Sequence, residues 1–284
     1  MRHPLFATLV LASALPAAAT ADLNRFAQCA LVPWASFDAG GRTTAVGLTA
    51  KDGGSVVWAY FDENGDRLAS GDFTMRDDTL VSMVLDQVLA PTLAEIPGFL
   101  LACLDDNDDG EIDGDDGADL AANAFYVDLL FNDVAYIPTL PVYFSDLDDA
   151  DPEDWDRDPV DNLTVGAASG QDLYMQYFID GVEDAGDATV VVIYSTDEPD
   201  TQITMRAAGP EEIVNVPATL LNSRVNVLDV EAIPAMTDTM GLRGSGFLRW
   251  TVGDNVNNVF AFSLVLSPAF GALQTLPAHV DPAP

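Results

Sequence analysis

The chain has 284 residues, with 46 Asp and Glu against 11 Lys and Arg, and its formal charge of −35 repels nucleic acid and anionic membrane surfaces and excludes both as partners. A 49% apolar content is too high for a disordered acidic tail, and the length suits one large or two modest domains with a sizeable core. Two His and two Cys leave little material for triads, zinc sites or imidazole acid–base pairs.

At the N-terminus, Arg2 and His3 precede an apolar run from Leu5 to Leu15, and Ala19-Thr20-Ala21 supplies small residues for cleavage. Residues 1–21 therefore read as a secretory signal peptide, and the run is too short to span a bilayer. Later apolar runs are only strand-length, so no membrane insertion of the mature chain is expected. Export implies an oxidising compartment: the extracellular space, the cell surface or the periplasm. There, two cysteines are most simply one disulfide, Cys29 to Cys103, worth about 4 kcal/mol by loop entropy. His279 is the one imidazole left in the mature chain, and it reads as a surface residue.

Short apolar or alternating segments follow, separated by Gly, Asp and Asn: Leu31 to Phe37, Thr43 to Thr49, Ser55 to Asp62 and Leu68 to Met75. These predict strands. Asp62-Glu63-Asn64-Gly65-Asp66 predicts a hairpin with a type I′ turn at Asn64-Gly65. Residues 77–96 predict strand or coil running into a short helix, which Pro91 must end. Further strands are predicted from Phe99 to Leu104, Ala124 to Leu130, Ala135 to Pro138, Leu173 to Ile179 and Thr189 to Tyr194. Others are predicted from Thr201 to Met205, Arg224 to Val230, Gly246 to Val252 and Val259 to Leu266. Many short strands with frequent turn signals predict a mainly β fold: an antiparallel, immunoglobulin-like β-sandwich in two units with little helix. The units span residues 22–145 and 162–284, and the acidic stretch 146–161 reads as a solvated linker between them. No repeat of fixed period is detected, which argues against a solenoid or propeller.

One motif carries chemistry. After Cys103 the chain reads Leu104-Asp105-Asp106-Asn107-Asp108-Asp109-Gly110-Glu111-Ile112-Asp113-Gly114-Asp115-Asp116. Counted from Asp105, oxygen ligands fall at positions 1, 3 and 5 (Asp105, Asn107, Asp109), and the turn glycine, Gly110, at position 6. The Glu111 carbonyl is at 7, apolar Ile112 at 8, Asp113 at 9 and Asp116 at 12. In a tightly curled loop, alternate residues turn their oxygens toward one hard cation, which predicts Ca2+. The loop resembles the EF-hand and, with Asp at its twelfth position, looks more like the calcium loops of dockerins and related extracellular modules. It departs from both in following a strand rather than an entering helix, although a short helix over 118–123 is predicted after it. Nine carboxylates among residues 105–119 would repel one another without a counterion. The second run, residues 146–161, also holds nine carboxylates, with the single base Arg157. It lacks the glycine and the one-three-five spacing, although Asp146, Asp148, Asp149 and Asp151 offer a weaker alternative site. Asp180-Gly181-Val182-Glu183-Asp184 reads as a hairpin turn.

No Gly-x-Ser-x-Gly elbow or phosphate-binding loop is present, and Gly244-Ser245-Gly246 reads as a turn. Aromatics cluster at Trp58, Tyr60 and Phe61, at Tyr174, Tyr177 and Phe178, and at Phe247 and Trp250. A sugar-binding platform would need exposed rings, for which Tyr60, Trp155 and Trp250 are candidates, whereas core packing is the expectation for Trp58 and Phe178. One Lys against ten Arg, together with the acidic excess, also fits adaptation to salt. The segments Ala30-Leu31-Val32-Pro33, 62–66, Tyr136-Ile137-Pro138-Thr139-Leu140-Pro141 and Ile179-Asp180-Gly181 make the chain similar to uncharacterised secreted β-rich bacterial proteins, a resemblance that brings no activity with it. The expectation is an exported, non-catalytic, calcium-binding structural or adhesive protein whose partner is an extracellular protein or polysaccharide. The alternatives are a carbohydrate-binding module or a carboxylate-dependent glycoside hydrolase.

Overall fold

The computed structural model describes residues 25–129, 132–163, 166–179, 188–196, 202–209, 212–219, 223–239, 242–253, 258–267 and 272–281. The signal segment 1–21 and the turn 180–184 lie outside the described residues. The first nine strands are β1 (Cys29–Ala35), β2 (Arg42–Ala50), β3 (Gly54–Asp62), β4 (Arg67–Met75), β5 (Thr79–Val84), β6 (Gly98–Asp105), β7 (Leu120–Asp128), β8 (Asp133–Ile137) and β9 (Leu140–Val142). The next nine are β10 (Asp172–Ile179), β11 (Ala188–Ser195), β12 (Gln202–Ala208), β13 (Ile213–Thr219), β14 (Val225–Asp229), β15 (Gly244–Thr251), β16 (Val259–Ser267), β17 (Ala272–Pro277) and β18 (His279–Asp281). Among the described residues, helix is confined to single turns such as Leu85–Val88 and Pro234–Thr237. The protein belongs to the expected class, a mainly β antiparallel sandwich fold with little helix.

Four sheets form, ordered β4-β3-β6-β1-β9, β5-β2-β7-β8, β13-β12-β15-β10-β18 and β14-β11-β16-β17. The first two face each other, with Trp34 of β1 against Tyr126 of β7 at 4.9 Å between ring centroids. The other two close on a second core that includes Leu173, Met175, Val191, Ile193 and Leu248. Adding nine to every strand number in the first pair of sheets reproduces the second pair, so the chain is a topological duplication. The sequence shows no fixed period because the connections differ in length: β6 and β7 are joined by residues 106–119, their counterparts β15 and β16 by residues 252–258.

The two sandwiches stack face to face. Phe99 of β6 meets Tyr194 of β11 edge-on at 5.4 Å, and Phe61 of β3 stacks on Phe99 at 5.1 Å. The central strands of the two middle sheets are therefore buried on both faces and read as apolar runs, while the edge strands β4 and β14 still alternate. Every residue of β1 and β6 is buried. On β11, Val191 and Ile193 enter the core of the second sandwich, while Val192 and Tyr194 join the core of the first. The outer sheets alternate, as on β7, where Leu120, Ala122 and Ala124 point inward and Asn123 and Phe125 outward.

Three local expectations are corrected. The 62–66 hairpin is not type I′, because Gly65 has positive φ (87°) and Asn64 does not. Gly65 N–H closes a turn on the Asp62 carbonyl at 3.1 Å, and the pairing shifts register at Phe61. This is a type I turn followed by a left-handed glycine bulge, held by the Asp62 carboxylate, which accepts from Asn64 and Asp66 N–H at 2.8 and 3.0 Å. The helix expected over 118–123 is instead the start of β7, where pairing with β2 overrides the helix propensity of the alanines. The acidic run 146–161 is not a solvated linker. Trp155 is 1% exposed and Val160 fully buried, Trp155 donates its indole N–H to the Asp149 carbonyl at 3.0 Å, and Leu147 bridges Val160.

The aromatic platform is also corrected, since Tyr60, Trp155 and Trp250 are all buried. Tyr60 spends its hydroxyl on the Ile96 carbonyl at 2.7 Å and the Ala35 carbonyl at 3.1 Å.

Candidate metal centre

The disulfide Cys29–Cys103 is formed between register partners on β1 and β6, and β6 ends two residues later at Asp105, the first residue of the calcium-type loop. The segment before β1 clamps both ends of this loop. Leu104 N–H donates to the Gln28 carbonyl, and Ala27 and Leu120 exchange backbone hydrogen bonds, all at 2.9 Å. Gln28 Nε2 also donates to the Asp116 carbonyl at 3.1 Å. The roles of Ala27 and Gln28 are not among the sequence-predicted site residues; the available signal is that they adjoin Cys29, whose partner lies next to the loop.

Inside the clamp the chain winds as the spacing demands. Gly110 adopts a left-handed φ of 93°, and its N–H donates to Asp105 Oδ2 at 2.9 Å. Asn107 Oδ1 accepts from Asp109 N–H at 2.8 Å, Asp109 Oδ1 from Glu111 N–H at 3.0 Å, and Asp113 Oδ1 from Asp115 N–H at 2.7 Å. Asp116 closes the loop across its mouth, accepting from Asp106 N–H at 3.0 Å and Asp113 N–H at 2.9 Å. Ile112, at position 8, is fully buried in the first core, and its N–H donates to the Ala150 carbonyl at 2.8 Å. The loop is thus pinned to the 146–161 segment, and Gly114 lies against the Phe144 ring.

Two of the predicted ligands, Asp105 and Asp116, are buried, Asp113 is half-buried, and Asn107, Asp109 and Glu111 are exposed. Burial pushes the Asp116 carboxyl up to about 6; N–H donation from Asp113 and Asp106 opposes the shift, and the neighbouring charges of Asp105 and Asp106 add to it. Among the described residues, no three acidic, His or Cys side chains converge closely enough to hold a metal. The reason is local: one oxygen each of Asp105, Asn107, Asp109 and Asp113, and both of Asp116, are turned onto backbone N–H groups.

The donor set nevertheless fits a hard cation. It is all oxygen, and Asp105 Oδ1 is buried without a hydrogen-bond partner, a costly state for a carboxylate oxygen unless a cation satisfies it. The second acidic run offers no comparable arrangement. Asp146 accepts from Tyr143 N–H, Asp149 from Asp151 N–H and Asp151 from Glu153 N–H, so these side chains cap local turns.

No family model matches the chain, and no curated protein matches it. Among solved structures it is similar to the α-L-rhamnosidase of Streptomyces avermitilis complexed with L-rhamnose, with a TM-score of 0.22 and 10% identity, over 91% of this chain and 26% of that one. It is also similar to a lectin from Pleurotus ostreatus in complex with GalNAc, with a TM-score of 0.18 and 12% identity, over 90% of this chain and 86% of the other. The chain spans about a quarter of the length of the rhamnosidase.

Proposed function

We propose that this is an exported, non-catalytic, calcium-binding protein with a structural or adhesive role at the cell exterior or in the periplasm. Its 105–116 loop would hold Ca2+ through Asp105, Asn107, Asp109, the Glu111 carbonyl, Asp113 and Asp116. The observation that carries the reading is the unpartnered, buried Asp105 Oδ1 at position 1 of an EF-hand-type spacing. The intramolecular disulfide supports an oxidising environment. A cation here would neutralise the facing carboxylates and tie β6 to β7, a structural rather than a chemical service.

The test is the thermal midpoint of the purified chain in EDTA, then in millimolar calcium, with magnesium as control and salt held high. At free calcium about 100 times Kd the expected gain is about 2.7 kcal/mol, a rise of roughly 5 to 10 °C for a chain of this size. Asp105→Asn, which keeps an acceptor for Gly110 N–H but removes the charge, should abolish most of the rise, as should Asp109→Ala. A midpoint indifferent to calcium would sink the assignment and leave salt adaptation as the account of the acidity.

A further inference from the structure

The outer face of the β13-β12-β15-β10-β18 sheet is the counterpart of the β4-β3-β6-β1-β9 face that the second sandwich covers. Register and alternation place Asp172, Tyr174 and Gln176 of β10 on this outer face, beside Thr251, Arg249 and Phe247 of β15. On the other side of β10, β18 sets Asp281 opposite Asp172 and His279 opposite Tyr174. An open cavity of about 400 Å³ lies here, lined by Tyr174, Gln176, Phe247, His279, Val280 and Asp281. Its size falls within the range of roughly 300 to 1,000 Å³ typical of small-ligand sites.

The cavity walls are held by side-chain contacts. The Tyr174 and Phe247 rings lie 5.6 Å apart between centroids, and Phe247 and Val280 are 39% and 41% exposed. Arg249 sits 5.8 Å from the Tyr174 ring centroid and is ion-paired to Asp172, which also accepts from Thr251. The arginine is thereby neutralised and braces the tyrosine rather than offering a charge to a ligand. What remains to a ligand is two aromatic surfaces, an amide, an imidazole and a carboxylate. A carboxylate accepts hydrogen bonds from hydroxyls and an amide both donates and accepts, while the rings need an apolar C–H face. Both demands are met by one chemistry, that of a sugar ring. Asp281 and the overall charge of −35 disfavour an anionic ligand.

We propose that this face binds a neutral saccharide, with its ring against Tyr174 and Phe247 and its hydroxyls on Gln176 and Asp281. The site lies in the other sandwich from the calcium loop and stands on its own observations. Affinity electrophoresis of the full chain through gels containing galactomannan, xyloglucan, arabinoxylan, mixed-linkage β-glucan or starch, with alginate as the anionic comparison, tests it. Retardation in at least one neutral gel is expected. It should weaken about tenfold for Tyr174→Ala, the loss typical of one removed aromatic contact, and also weaken for Gln176→Ala. Gln176→Ala, at an exposed side chain, should keep the parent thermal midpoint, and Asp105→Asn should retain binding, which separates this site from the calcium reading. Unaltered mobility in every neutral gel, retardation by alginate alone, or retardation indifferent to both variants would overturn the proposal.

Discussion

Asp158 is 1% exposed at its side chain and lies at the junction of the two sandwiches. It accepts from Tyr194 Oη at 3.1 Å and Val160 N–H at 3.0 Å, with Arg224 Nε at 3.6 Å. Burial pushes its carboxyl up to about 6, against the pull of Arg224. A carboxyl raised in the folded state keeps a proton that the unfolded chain has already released near pH 4. Its contribution to stability is therefore greatest at low pH and is lost as pH rises from about 4 to about 6. Urea unfolding midpoints at pH 4.5 and pH 7 should show the parent losing stability across this window relative to Asp158→Asn, by on the order of 2 kcal/mol. Parallel pH profiles would show that the junction does not titrate. Arg224 Nη1 is itself buried without a partner, so Asp158→Ala, which removes its counter-charge, should cost about 3 kcal/mol or more at neutral pH.

Among the elements, the β1–β6 pair matters most to the loop, because it carries the disulfide and delivers Asp105. Cys29→Ala with Cys103→Ala should lower stability by about 4 kcal/mol by the loop-entropy model. It should also weaken the proposed calcium binding, since the loop would lose its fixed root; calorimetric titration of the double variant checks the second effect. Ile112→Ala should cost about 2 to 5 kcal/mol as a buried deletion, and the thermal midpoint reads it directly. The strands and the loop are legible in the sequence because their patterns are local, as oxygens at fixed intervals around a glycine are, and the disulfide because only two cysteines exist to pair. What is not legible depends on register. Tyr174 and Tyr177 share a strand, yet one faces the open cavity and the other is buried with its hydroxyl on the Leu242 carbonyl at 3.0 Å. A shift of one residue exchanges the two faces, so composition offers Trp155 and Trp250 as sugar platforms while the structure buries both. β13 escapes sequence reading because Pro217 interrupts it, and the fold accommodates that proline by placing β13 at a sheet edge.

Across the whole molecule, the duplicated sandwiches share a core, which predicts one folding unit. The first core draws in Val192, Tyr194, Val225, Phe262 and Leu264 from the second half. A fragment of residues 25–163 should therefore bare the Phe61 and Phe99 face and bind a hydrophobic dye strongly, while the full chain unfolds in a single transition. Two resolved transitions in a calorimetric scan would show instead that the halves are independent. The stack ends at each side in a sheet whose outer face mixes polar groups with exposed apolar ones such as Leu80, Phe125 and Phe247.

The crosslink between Cys29 and Cys103, separated by 74 positions in sequence, has a mechanical consequence that bears on the proposed adhesive role. A pull on the N-terminal segment is carried through the covalent bond before it can peel β1 from its neighbours. The enclosed chain, roughly 250 Å if fully extended, stays out of reach of the load. Stretching single molecules under oxidising and then reducing conditions should reveal that hidden length as added contour only after the bond is cut.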